Sequence, residues 1–158
     1  MEPYPYFPMF VDLSKKRILV AGAGRIASRR IQTLTQFWPC ITVIAPDVVP
    51  EVEKLAKDGK VILERRSFQM EDLERADLAV FATDDEQLNA AAGEQCRRRG
   101  IPVNVSSDKD LCDFYFPGIV RRDPLVIGVS ASGEDHELAA KATKYLKMCL
   151  ISQEADCS

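Results

Sequence analysis

Gly22-x-Gly24-x-x-Ala27 is the stretch whose residue types and spacing are best suited to chemistry. It follows the apolar run Ile18-Leu19-Val20 and precedes a helical pattern. In that setting the first glycine permits a tight turn, the second lets the backbone approach a pyrophosphate, and a small third residue allows close helix packing. The helix N-terminus then offers its N–H groups to the phosphates. The same turn without a ligand is the plainer alternative.

Other chemistry-bearing residues are sparse. An acid on the ribose of a dinucleotide is expected about 20 residues further on, but Ile44-Ala45 occupy the strand tip and Asp47 is the nearest acid. That loop has no Arg or Lys to receive a 2′-phosphate, which favours NAD over NADP. Ala82-Thr83-Asp84-Asp85 follows another apolar run and is expected to face the same crevice, with Asp84 capping the next helix. Arg29-Arg30, Arg97-Arg98-Arg99 and Arg121-Arg122 are basic clusters, suited either to an anionic ligand or to a solvated helix face. The single histidine, His136, has no second imidazole with which to share a metal, and it reads as exposed or capping. Five cysteines, Cys40, Cys96, Cys112, Cys149 and Cys157, include no C-x-x-C pair, so reduced, mostly buried thiols are expected, with neither a disulfide framework nor a thiolate metal site.

The elements that must position these residues alternate. Lys16–Ala21, Ile41–Ala45, Val61–Leu63, Asp77–Ala82 and Pro102–Ser106 read as strands. Between them lie a helix with Ala27, Ile31, Leu34 and Trp38 on one stripe, a helix opened by Pro50 and ended by Gly59, a short helical turn over Met70–Ala76, and a helix with Leu88, Ala92 and Cys96 on one face. This alternation predicts an α/β fold, a Rossmann-like doubly wound parallel sheet over residues 1–112. From residue 113 the pattern changes. Phe114–Val120 and Leu125–Val129 read as strands joined by Arg121-Arg122-Asp123-Pro124, followed by a helix with Leu138, Ala142, Tyr145 and Cys149 on one stripe. Two strands and one helix bury too little core to stand alone. Residues 113–158 are therefore expected to be a strand-and-helix tail that pairs with a second copy of the chain.

Bulk properties exclude some functions. With 158 residues, 46% hydrophobic and 28% charged, the chain holds one main domain with a small appendage. Its net charge of -3 gives no footprint for nucleic acid. No apolar run is long enough to span a membrane and the start lacks a signal-peptide pattern, so a cytoplasmic location is expected.

Taken together the motifs resemble a family. Ile18-Leu19-Val20-Ala21-Gly22-Ala23-Gly24-Arg25-Ile26-Ala27-Ser28-Arg29-Arg30 is similar to the opening of precorrin-2 dehydrogenases, the N-terminal module of siroheme synthases. Thr42–Pro46, Ala82–Asp85 with Leu88-Asn89, Ile101–Val105 with Leu111–Phe114, and Phe116-Pro117 with Arg121–Ser130 follow in the family's order. The resemblance spans roughly Phe7 to Leu146. It implies a homodimer that uses NAD to oxidise precorrin-2, a tetrapyrrole, to sirohydrochlorin; some members also insert ferrous iron. It assigns the cofactor to Gly22, Ala23, Gly24, Arg25, Ile26, Pro46, Asp47, Ala82 and Thr83. The many carboxylates of such a substrate suit bidentate contacts from Arg121, Arg122 or Arg25, Asn104 is a further substrate candidate, and the leaving proton is expected to pass to Asp108, to water beside Ser107, or to solvent. Three departures stand out. Ser107 occupies a position often acidic in the family, with Asp108 next. Ser132-Gly133-Glu134-Asp135-His136 replaces a Gly-Gly-x-Ser-Pro stretch, and the C-terminal helical region is shorter than in many relatives. Two rival functions are a non-catalytic NAD-sensing domain and a degenerate relative that regulates a partner.

Overall fold

The structure is a computed structural model that describes residues 5–37 and 39–152. Five parallel strands, β1 (Arg17–Ala21), β2 (Cys40–Ile44), β3 (Ile62–Glu64), β4 (Leu78–Phe81) and β5 (Val103–Val105), form one sheet in the order β3-β2-β1-β4-β5. The chain runs outward from β1 to β3, then returns to lay β4 on the other side of β1. That reversal leaves a crevice at the carboxyl ends of β1 and β4, the place where open α/β sheets take ligands.

The strands are central because they are apolar on both faces. Leu19, Ala21, Ala79, Phe81, Val103 and Val105 share a buried cluster with Ala92 and Cys96 of helix α3 (Glu86–Arg99). By the two-residue strand period, Ile18, Val20, Ile41, Val43 and Val80 face the opposite way, and all are buried. Helix α1 (Arg25–Leu34) contacts β1 and buries Ala27, Ile31 and Leu34. Trp38, the expected end of that stripe, lies outside the described residues, as does Cys157. Helix α2 (Pro50–Lys57) opens on Pro50 as the sequence predicts, and it contacts α1 and β3. The edge strand β3 is less buried, and Ile62 is exposed. After β3 a 3-10 turn over Met70–Arg75 carries Asp72, whose carboxylate accepts from the two terminal guanidinium nitrogens of Arg66 at 2.7 and 2.8 Å and from Arg75 Nη2 at 2.9 Å.

Val11–Tyr115 forms one compact unit, and residues 5–10 belong with 116–152 in another. In the second unit β6 (Gly118–Arg122) pairs antiparallel with β7 (Leu125–Val129), and helix α4 (His136–Ser152) contacts both. Three expectations are corrected here. The first strand of the pair begins at Gly118, not Phe114, and it includes Arg121 and Arg122, so the turn is only Asp123-Pro124. Leu138 and Tyr145, expected on the buried stripe of α4, are exposed. Ala142 and Cys149 of that stripe are half-buried as expected, together with Ala139, Thr143, Leu146 and Leu150, and a Cβ at Gly118 would collide with Thr143 Oγ1, so this glycine admits the helix. Of the described cysteines only Cys96 is buried, Cys112 and Cys149 are half-buried, and Cys40, at the start of β2, is exposed, against the expectation of mostly buried thiols.

Candidate functional site

The carboxyl ends of β1, β2 and β4 are sewn together by backbone hydrogen bonds. Gly22 N donates to Ile44 O and Ala82 N to Ala21 O, both at 2.9 Å, and Val49 N donates to Ala23 O at 3.1 Å. These bonds bring the Gly22–Ile26 turn, the Pro46-Asp47 loop and the Ala82-Thr83 turn to one edge of one sheet. Gly22 is in the left-handed region, φ +100°, and is buried. Gly24 is its opposite: exposed, extended, and with nothing within 4 Å of the place a Cβ would take. It is the N-cap of α1, which has neither a side-chain cap nor an acid in its first turn. The positive end of the helix dipole is thus left for an external anion, and the open space over Gly24 lets it approach. Dinucleotide phosphates fit these residues. Arg25, Ile26, Pro46 and Asp47 are exposed around the turn, while Ala23 is buried.

The Ala82-Thr83 turn is held from α3. Asn89, fully buried, accepts from Thr83 N at 3.3 Å and Thr83 Oγ1 at 2.7 Å, and it donates to Thr83 O at 2.9 Å. Sequence reasoning noted Asn89 within a family motif and gave it no role. The signal was present: an amide beside Ala92, Gly93 and Cys96 on a buried helix face must find partners. The helix cap is also corrected. Asp85, not Asp84, is the N-cap of α3 and accepts from Leu88 N at 2.9 Å.

The segment after β5 carries the catalytic candidates. Ser106 N and Oγ both donate to Phe81 O, at 2.9 and 2.8 Å, which ties this segment to the end of β4. Ser107 is exposed. Asp108 is half-buried, and its carboxylate accepts from Asp110 N at 2.9 Å, capping the 3-10 turn Lys109–Leu111. Cys112 Sγ accepts from Val105 N at 3.2 Å, and burial raises its pKa. Burial likewise pushes the Cys96 thiol up to about 12, so that sulfur stays a protonated core group.

Asn104 is only 3% exposed, and its Nδ2 donates to Phe114 O at 2.8 Å, which places it inside the unit rather than along the crevice. Arg121 and Arg122 lie in the other unit. Arg121 pairs with Asp123 at 2.7 Å, and Arg122 Nη1 donates to Leu150 O at 2.9 Å. His136 is exposed in the first turn of α4, where the acceptor for Leu138 N is Asp135. No helix among the described residues is long and apolar enough to cross a membrane.

Comparisons with known proteins agree with the resemblance read from the motifs. The chain is 39% identical over 147 residues to a siroheme synthase of Pseudoalteromonas atlantica, a match covering 93% of this chain and 31% of that protein. It is 41% identical over 134 residues to a siroheme synthase of Ruthia magnifica, covering 85% of this chain and 28% of that one. The chain therefore spans about a third of the length of these curated relatives. Among solved structures, SirC, a precorrin-2 dehydrogenase, matches with a TM-score of 0.74 and 27% identity, covering 90% of this chain and 70% of that one. Residues 9–118 match the family described as "Putative NAD(P)-binding". With that match over most of its length, and a glycine turn and uncapped helix N-terminus at the reversal of its sheet, the chain belongs to this NAD(P)-binding family.

Proposed function

We propose that this chain binds NAD and uses it to oxidise precorrin-2 to sirohydrochlorin in siroheme synthesis. The observation that carries the reading is the open, uncapped N-terminus of α1 beneath Gly24, beside the Ala82-Thr83 turn. Similarity to siroheme synthases and to a precorrin-2 dehydrogenase supports the choice of substrate.

The residues divide the work as follows. The Gly22–Ile26 turn holds the pyrophosphate, Pro46-Asp47 sits where the adenosine ribose is expected, and Ala82-Thr83 lines the nicotinamide side. When bound, the dinucleotide supplies the hydride acceptor. The chain's task is to hold the substrate carbon face to face with that acceptor. One hydride and one proton leave the macrocycle together, and the proton passes to the Asp108 carboxylate or to water beside exposed Ser107. Arg121 and Arg122, bearing fixed positive charge, suit the carboxylates of the tetrapyrrole, with the chain acting as a homodimer. Asn104 contributes by fixing the segment that leads to Phe114.

A second reading, a non-catalytic NAD-binding relative, is favoured by one observation: the only acid next to Ser107 already caps a turn. One assay separates the two. Purified protein is mixed with precorrin-2 and NAD, and NADH absorbance and the tetrapyrrole spectrum are followed. Stoichiometric formation of NADH and sirohydrochlorin is expected. NAD binding with no turnover would favour the second reading.

A further inference from the structure

We infer that Asn89 is a positioning residue for the nicotinamide half of the dinucleotide, acting through Thr83. The inference rests on the dinucleotide reading above.

Asn89 stands on α3 with no exposed surface. Its three hydrogen bonds all go to one residue, and they engage the N–H, the carbonyl and the hydroxyl of Thr83. If packing were the only demand at this position, an apolar side chain like its neighbours Ala92 and Cys96 would meet it with no polar group to satisfy. The amide is instead matched to the N–H, the hydroxyl and the carbonyl of a single residue in one turn. That turn, half-buried, stands at the crevice edge where the sheet order reverses.

The turn is also set against the phosphate side. The carbonyl of Ala82 occupies the space beside Gly22 that a Cβ would need, and Ala82 N is bonded to Ala21 O. Asn89 thus fixes Thr83 at one end of a rigid contact whose other end is the glycine turn. Releasing it frees the nicotinamide side, while the Gly24 end, held by β1, β2 and α1, keeps its geometry. Thr83 spends its polar atoms on Asn89 and, through its hydroxyl, on Asp85. The clamp therefore shapes the crevice edge rather than supplying a free donor to the ring.

The test compares ligands that do and do not reach this edge. NAD and ADP are titrated by calorimetry into the wild type, Asn89→Ala and Asn89→Asp, and exchange of the Thr83 amide is followed by NMR without ligand. Asn89→Ala is expected to weaken NAD about tenfold or more while ADP stays within about twofold. Thr83 exchange speeds up. Asn89→Asp, which keeps the acceptor and loses the donor, falls between. Should Asn89→Ala fail to fold, Asn89→Asp and Thr83→Val carry the same comparison. Equal losses for NAD and ADP would show a purely structural amide and overturn the inference, as would unchanged NAD affinity. Wild-type protein that takes up neither ligand would overturn the dinucleotide reading, and this inference with it.

Discussion

The carbonyl oxygen of Ala82 fills the place that a side chain on Gly22 would take, so the turn after β1 and the end of β4 touch at that point. The two glycines of the motif therefore do different jobs. Gly22→Ala must displace backbone and adopt a positive φ, and it is expected to destabilise the fold by about 2 kcal/mol or more, read by chemical denaturation.

Gly24 has open space above it, so its substitutions test the ligand rather than the fold. Gly24→Asp should abolish NAD binding in calorimetry, because it places a carboxylate at the phosphate position, and it should leave circular dichroism largely intact. Unchanged NAD affinity would refute the site.

The second unit is expected to dimerise. Phe114, Tyr115, Phe116, Leu125 and Ile127 are the apolar residues that prompt this from sequence; Phe114 and Tyr115 prove to belong to the other unit, and of the remaining three Leu125 is exposed and Phe116 and Ile127 are half-buried. On α4, Leu138, Tyr145 and Met148 add exposed apolar surface, and among the described residues of this unit Val120 alone is fully buried. Light scattering at micromolar concentration should give a dimer, and Leu138→Asp with Tyr145→Asp should shift it toward monomer. A monomeric wild type would overturn the expectation.

Acid should expose the ion cluster after β3. Arg66 foremost, with Gln69 N and Arg75, holds the Asp72 pKa down from 3.8 to about 2. A carboxylate depressed in the folded state stabilises it above its unfolded pKa, and that contribution fades as pH falls from about 4 to about 2. Arg66→Gln is expected to lower stability at neutral pH, by an amount that solvent around the arginine keeps modest. The difference from wild type should vanish near pH 2 in urea titrations. A pH-independent difference would point to lost packing instead.

Iron insertion is expected to be slight beside dehydrogenase activity. Inserting a metal needs a group that strips pyrrole protons and passes on the ion; a carboxylate does both and a serine neither. Ser107 holds the position often acidic in the family, and the Asp108 carboxylate is engaged with Asp110 N. Sirohydrochlorin and ferrous iron are supplied anaerobically to the wild type, Ser107→Asp and Asp108→Ala, and siroheme is followed against a no-enzyme control. Rapid wild-type chelation that disappears in Asp108→Ala would show that Asp108 has taken the role.

By itself the sequence determined the alternation of strands and helices, the parallel sheet, and the glycine turn between β1 and α1. These follow from local periodicity and from backbone demands that short stretches of chain express directly. Pro50 at the start of α2 was legible for the same reason. Only the tertiary structure decided the rest, because it depends on residues remote in the chain. The contact of Gly22 with Ala82 arises from the pairing of β1 with β4, and the clamp of Asn89 on Thr83 from the turn folding back over α3. The choice of Asp85 over Asp84 as cap turned on one residue of helix phase, which composition does not carry. Half of the α4 stripe was misread: Leu138 and Tyr145 are apolar yet exposed, while Ala142 and Cys149 are half-buried as expected and Thr143 sits where Gly118 leaves room for it. Hydrophobicity marks which side chains gain from burial; the shape of the partner surface decides which of them reach it.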